Sequence, residues 1–253
     1  MYKFITRVIR RIGWQIYLIK VSDLSGKMIR KFYRNIIPMN GLIFDVSNPG
    51  ITNRTAATIF HKAYEKNELL FISKYLNTSL PTIEFGSSIG VTGSFIGKLS
   101  AEKIYCVEAN PELITTIERQ FELNKLDRHV IYNAAVSTSK NPVYLKRPGS
   151  SDTSLLVTET DGTEMIIEST SLRDILDNEH IAEFNLVCDI EGSEVDFLTN
   201  EPDSLNNCRL LIIELHQTVF NDKRYQIGDI EEIIRNLGFK LLERKEEVFA
   251  FSK

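Results

Sequence analysis

The chain has 253 residues, of which 43% are hydrophobic and 25% charged, enough for one large domain with a proper core and a small appendage. Three cysteines (Cys106, Cys188, Cys208) show no metal-type spacing and exclude a disulfide framework; no stretch approaches the roughly 20 apolar residues that cross a bilayer. The net charge of −4 says little about partners, but its distribution says more: up to Arg34 there are nine Lys/Arg and one acid, Asp23, leaving 21 basic and 33 acidic residues for the rest.

That basic head calls for an anionic partner, phospholipid headgroups or a nucleic acid. Phe4, Ile5, Val8, Ile9, Ile12, Ile16 and Ile19 recur at helical spacing with Lys3, Arg7, Arg10 and Arg11 between them. The pattern suits an amphipathic helix on an anionic membrane surface, with contact through residues 1–34. The alternative is a helix packed on protein with its arginines solvated. No nucleic acid is favoured. The apolar segment at 16–21 is short, contains Lys20 and lacks a small-residue cleavage site, so a signal peptide is rejected and a cytoplasmic protein is expected, with peripheral contact at the membrane the lesser of the two readings of its basic head.

Residues 38–54, rich in Pro, Gly, Asn and Ser, read as a linker or lid-like loop, and 58–76 as a single helix. The expected domains are therefore a basic helical extension with its linker, 1–55, and a catalytic domain, 56–253. The stretch 82–97, TIEFGSSIGVTGSFIG, reads as strand, glycine turn (Gly86 to Gly90) and helix, a site for a nucleotide-like ligand. Further strands are expected at 103–107, 130–132, 184–188, 209–213, 239–242 and 248–251, with helices after Pro111, at 172–178 and at 230–237. Residues 142–171 read as a hairpin-like insertion whose Ser150, Ser151, Asp152 and Ser154 cover the ligand or are solvated. Strands alternating with helices, then a terminal strand pair, indicate an α/β fold: a mostly parallel seven-stranded sheet with an antiparallel edge, plus the N-terminal helical extension.

In such a sheet, ligands sit outside the carboxyl ends of the strands. Five strands in succession end in polar residues there: Glu84/Gly86, Glu108, Asn133, Asp189/Glu191 and Glu214/His216. All of them should line one cleft. Glu108 follows Gly86 by 22 residues, where a carboxylate can accept both hydroxyls of a ribose, a reading preferred to that of an acid at the start of a helix. Gly86 and Gly90 with three residues between them fit S-adenosylmethionine better than the GxGxxG of a dinucleotide. A short-chain dehydrogenase would need Lys four residues after a Tyr, and none of the nine tyrosines has one.

Gly86-to-Gly90 after an acid-tipped strand, Val-Glu-Ala-Asn-Pro (107–111), Asn-Ala-Ala-Val-Ser (133–137), Asp-Ile-Glu-Gly-Ser-Glu (189–194) and Ile-Ile-Glu-Leu-His (212–216) occur in that order. This resembles the FkbM family of class I S-adenosylmethionine-dependent methyltransferases, over residues 64 to 251. The resemblance implies a Rossmann-like class I methyltransferase fold and O-methylation of a hydroxyl on a carbohydrate, glycan or similar small acceptor. It implies that Glu84, Gly86, Ser88 and Gly90 surround the methionine part of the cofactor, that Glu108 and Ala109 lie by the ribose, Asn133 and Ala134 by the adenine, and that Asp189 and Glu191 face the methyl group and acceptor. The family's usual turn is Asp-x-Gly-Ala-Asn-x-Gly; Glu84-Phe-Gly-Ser-Ser-Ile-Gly90 loses one side-chain amide.

An alcohol is a poor nucleophile and gains from a general base. The candidates are Asp189, Glu191 and His216: the carboxylates for positioning the acceptor, His216 for taking its proton. The same acids, with Glu194 and Glu214, resemble the oxygen-rich donor sets of divalent cations, but Glu194 reads as plain helix surface and no metal is assigned. Alternatives of other classes are an NAD-linked Rossmann oxidoreductase and a non-catalytic cofactor-binding scaffold. The sequence is compatible with an oligomer.

Overall fold

A computed structural model of the chain describes residues 18–139, 143–146, 155–157 and 165–253. It divides into two compact units, Met1–Lys66 and Asn67–Lys253. In the first, helix α1 (Asp23–Tyr33) starts at Ser22, whose hydroxyl accepts the Ser25 N–H at 3.2 Å. Strands β1 (Ile36–Met39) and β2 (Leu42–Asp45) follow as an antiparallel hairpin. Its turn is Asn40-Gly41, both at positive φ (53° and 74°), the pairing that a two-residue hairpin turn requires. Helix α2 (Asn53–Phe60) is capped by Thr52, and it approaches α1 so closely at Gly26 that a Cβ there would lie 1.7 Å from the Asn53 carbonyl oxygen.

Two sequence expectations are corrected here. Residues 38–54 are not a linker: they contain most of a hairpin and the start of α2, and Asn40-Gly41 was the signal for it. The single helix over 58–76 is two, because the chain passes through left-handed backbone at Lys62 (φ 56°) and Glu65 (φ 44°) before α3 (Lys66–Tyr75) begins. The apolar series from Phe4 to Ile16 lies outside the described residues.

The second unit continues with β3 (Thr82–Phe85), α4 (Val91–Leu99), β4 (Ile104–Glu108), α5 (Pro111–Leu123) and β5 (His129–Asn133). The inserted region holds β6 (Ala135–Val136), β7 (Val143–Lys146), β8 (Leu155–Val157), β9 (Met165–Ile167) and β10 (Ser169–Thr170). Then come α6 (Leu172–Glu179), β11 (Phe184–Cys188), α7 (Glu194–Asn200), β12 (Cys208–Glu214), β13 (Thr218–Phe220), β14 (Lys223–Tyr225), α8 (Ile227–Asn236), β15 (Lys240–Lys245) and β16 (Val248–Ser252).

Seven of these strands form one sheet in the order β15-β16-β12-β11-β3-β4-β5. The five from β12 to β5 are parallel, and β16 runs antiparallel to both its neighbours. The expected mostly parallel sheet with an antiparallel edge is therefore the architecture. Its strands are apolar on both faces, with Ile83, Phe85, Leu186, Cys188, Leu211 and Ile213 buried on one and Ile104, Cys106, Val187, Ile212 and Ala250 buried on the other, as a sheet covered on both sides demands. The three cysteines are buried and unpaired with one another.

The insertion is larger than a hairpin: β8, β7 and β9 make a small antiparallel sheet, and β6 pairs in parallel with β10. Ser150, Ser151, Asp152 and Ser154 lie outside the described residues. The β13–β14 hairpin has no counterpart in the sequence reading; it turns at Asn221-Asp222, both left-handed.

Candidate functional site

Register brings the polar strand ends together. Phe85 pairs with Val107 and with Cys188, Glu108 pairs with Asn133, and Ile213 pairs with Cys188, so the carboxyl ends of β5, β4, β3, β11 and β12 are level along one edge. Glu84, Glu108, Asn133, Asp189 and Glu214 with His216 all stand at or just beyond that edge.

At its centre is the turn from β3 to α4. Gly86 (φ 85°), Ser88 (φ 47°) and Gly90 (φ 78°) are left-handed, and α4 begins on Gly90 with no side-chain cap over its first N–H groups. Gly86 is obligatory: a Cβ there would lie 1.8 Å from the Asp189 carbonyl oxygen, so turn and β11 end touch through backbone. Two carboxylates hold the turn. Ser87 Oγ donates to Glu84 Oε2 at 2.7 Å, and Ser88 N–H donates to Glu108 Oε2 at 2.7 Å, while Asn110 N–H donates to Glu108 Oε1 at 2.7 Å. Glu84 thus lies beneath the turn, 1% exposed, with Oε1 lacking a hydrogen-bond partner. Burial pushes both carboxyls up to about 7, against the opposing pull of these hydrogen bonds.

Beyond Glu108 the wall is formed by Ala109, half-buried, Asn133, exposed, and Ala134, buried. Asn133 Nδ2 donates to the carbonyls of Glu108 (3.0 Å) and Ala109 (3.2 Å), which ties β5 to the loop after β4. Glycines, uncapped helix N–H groups and an acid at the next strand end fit S-adenosylmethionine: backbone for its carboxylate and amine, lone pairs for its ribose.

On the other side of Gly86 the acids gather round one imidazole. His216 Nδ1 lies 3.0 Å from Glu194 Oε1, which also accepts the Gly192 N–H at 3.1 Å. His216 Nε2 faces Glu191 Oε2 at 3.4 Å, Asp189 Oδ1 at 4.0 Å and Glu214 Oε1 at 4.0 Å. The hydrogen bond to Glu194 raises the imidazole pKa to about 9 although burial opposes it. Burial, then the negative charges of Glu214 and Glu191, raises Asp189 to about 7. Burial also raises Glu214. The turn carrying Glu191 is itself unusual, a non-glycine residue at φ 53° followed by Gly192 at φ 99°, strain of the kind that collects at functional sites.

Glu194 is not the surface residue expected: it is 0% exposed, because the first turn of α7 folds back under the loop and aims its carboxylate at His216. Sequence reasoning missed Glu68 altogether. It is 2% exposed on α3, on the same helical stripe as buried Ile72, and donor oxygens of Glu68, Asp189 and Glu214 lie within 4.8 Å of one another. A carboxylate on an apolar stripe was the available signal. A separate cavity of about 760 Å³, lined by Ser137, Thr138, Ser169, Arg173 and Glu201 among others, shares no residue with the turn or the acid cluster.

The methyltransferase FkbM domain model matches residues 84–241, from the β3 acid to β15. No curated protein matches. Among solved structures, TYW2 of M. jannaschii in complex with AdoMet is 14% identical, covering 85% of this chain and 82% of that one at a TM-score of 0.45. The M. jannaschii tRNA m1G37 methyltransferase is 14% identical, with 86% and 56% covered at 0.44. A protein of the NADB-Rossmann superfamily from Streptococcus agalactiae is 11% identical, with 73% and 67% covered at 0.43. The family match spans well over half the chain and displaces the NAD-linked alternative: the chain belongs to the FkbM methyltransferase family, and its cofactor is S-adenosylmethionine.

Proposed function

We propose that the protein methylates a hydroxyl oxygen of a carbohydrate or similar small acceptor. One observation carries this reading: a glycine turn and an imidazole ringed by carboxylates stand side by side on the same sheet edge, joined through the contact of Gly86 with Asp189. The bound cofactor supplies a methyl group already activated on a sulfonium. The transfer breaks the methyl–sulfur bond, forms the methyl–oxygen bond and releases the hydroxyl proton.

The chain's own work is positioning and proton handling. Gly86, Ser88, Gly90 and the first N–H groups of α4 receive the methionine end, with Glu84 supporting them through Ser87. Glu108 and Ala109 take the ribose, Asn133 and Ala134 the adenine. The acceptor hydroxyl lies against Asp189, Glu191 and His216 and gives its proton to one of the two carboxylates, because the Glu194 hydrogen bond keeps the imidazole protonated at neutrality. Negative charge there also suits the sulfonium. Asp189→Asn should lower turnover about 100-fold or more while affinity for S-adenosylhomocysteine stays within a few-fold. Loss of both together would refute the assignment, giving Asp189 a cofactor or folding role.

The first unit supports a second reading, contact with an anionic membrane surface. Leu24, Met28 and Phe32 recur every four residues on α1 at 68%, 66% and 81% exposure, flanked by exposed Lys27, Lys31 and Arg34. An apolar stripe edged by cations suits acyl chains below and lipid phosphates around. Full-length protein should co-sediment with phosphatidylserine vesicles and not with neutral ones, and Met28→Asp with Phe32→Asp should abolish it. Unchanged sedimentation of the double variant would overturn this reading. Among the described residues no helix is long and apolar enough to cross a membrane.

A further inference from the structure

We propose that the acid cluster around His216 is the seat of a divalent cation, of the Mn²⁺ or Mg²⁺ class, held by Asp189, Glu191 and His216 Nε2. Donor atoms of Asp189, Glu191 and His216 lie within 4.8 Å of one another, as do those of Glu68, Asp189 and Glu214, so the two groups share Asp189.

Four features point to a cation rather than to solvated acids. First, Nε2 stands 3.4 to 4.0 Å from three carboxylate oxygens, too far for good hydrogen bonds. That spacing suits donors sharing an ion at ~2.1 Å from each. Second, Glu194 binds the opposite ring nitrogen at 3.0 Å. A buried carboxylate on Nδ1–H fixes the ring's orientation and turns Nε2 outward, where a cation would take the place of its proton, the usual support of a metal-bound histidine. Third, Glu194 is fully buried with Oε2 unpartnered, and Asp189 Oδ1 is a buried atom without a hydrogen-bond partner. Fourth, no Lys or Arg ion pair reaches Asp189, Glu191, Glu194 or Glu214 among the described residues, so His216 is the only basic side chain paired with these four acids. Carboxylates with a single imidazole favour Mn²⁺ over Mg²⁺ and disfavour softer metals.

The inference deepens the reading of this cluster as the acceptor end of the cleft and rests on it. A cation there would bind the acceptor oxygen and make its proton easier to lose.

The test is Mn²⁺ titration of full-length, chelator-treated protein, followed by the electron paramagnetic resonance of free Mn²⁺, with S-adenosylhomocysteine binding measured calorimetrically on the same samples. One saturable Mn²⁺ site per chain, displaced by excess Mg²⁺, is expected. Asp189→Asn and Glu191→Gln should each weaken it at least tenfold, and Glu231→Gln on α8 should leave it unchanged. Retained S-adenosylhomocysteine binding shows that the variants are folded. No saturable site below millimolar Mn²⁺, or a site indifferent to both Asp189→Asn and Glu191→Gln, overturns the proposal. The two readings fail separately: the cofactor ligand bound without Mn²⁺ refutes the cation alone, and Mn²⁺ bound without the cofactor ligand refutes the cleft assignment.

Discussion

Glu84→Gln should change the pH dependence of stability in a way worked out from burial alone. Glu84 lies under the glycine turn, 1% exposed, held by a hydrogen bond from Ser87 Oγ at 2.7 Å, with Cys106 and the Gly93 backbone also bonded to its carboxylate and with Oε1 unpartnered. Burial raises its pKa from an ordinary 4.5 to about 7. The folded state thus keeps a proton that the unfolded state has lost between those two values. Stability linked to Glu84 is fully present below about pH 4.5 and falls as pH rises towards 7, levelling off above it. At about 1.4 kcal/mol per pH unit, an interval of roughly 2.5 units amounts to about 3 kcal/mol. Glutamine keeps the acceptor for Ser87 and removes the charge; any cost of its new N–H₂ donors is independent of pH. Urea unfolding of both proteins at half-unit steps from pH 4.5 to 8 would therefore show the variant gaining about 3 kcal/mol on the wild type across the range. Glu108 titrates in both and cancels to first order. A difference constant to within about 0.5 kcal/mol over that range would sink the argument, since Glu84 would then ionise as freely folded as unfolded.

Other expectations follow from the same geometry. Gly86→Ala places a Cβ 1.8 Å from the Asp189 carbonyl at a φ of 85°, and should cost more than about 3 kcal/mol, read as a lowered Tm with loss of S-adenosylhomocysteine binding. Glu108 is raised to about 7, so its carboxylate form grows through neutrality; affinity for the same ligand should rise up to about tenfold from pH 6 to 8 by calorimetry, and Glu108→Gln should flatten that rise. Glu201 accepts the Leu172 and Arg173 N–H groups at 3.0 and 3.4 Å at the start of α6, and Glu201→Ala should lose about 1 to 2 kcal/mol in urea unfolding without altering cofactor binding.

Much of this molecule was legible in its sequence because the relevant physics is local. Apolar runs such as 184–188 and 209–213, Pro111 at a helix start, and Gly86 with Gly90 after a strand each depend on a few neighbouring residues. Polar residues ending five successive strands followed from the same reading, since alternating strands and helices imply a parallel sheet with one common edge. Even the Asn40-Gly41 hairpin was written locally, although its Pro- and Ser-rich surroundings led to a loop being expected there.

What only the tertiary structure decided is which side chains meet. Glu194 reads as helix surface until the fold packs α7 on the face of the sheet through Phe197 and Phe85 and leaves it 0% exposed beside His216. Glu68 stands 121 residues before Asp189, and no periodicity within α3 reveals that its carboxylate faces β11 and β12. The raised pKa values of Glu84 and Glu108 likewise exist only once the turn has closed over them. Sequence periodicity records how a segment relates to its own axis, and so it predicts elements; burial and charge proximity depend on neighbours supplied by distant segments, and those arise only when the sheet is assembled.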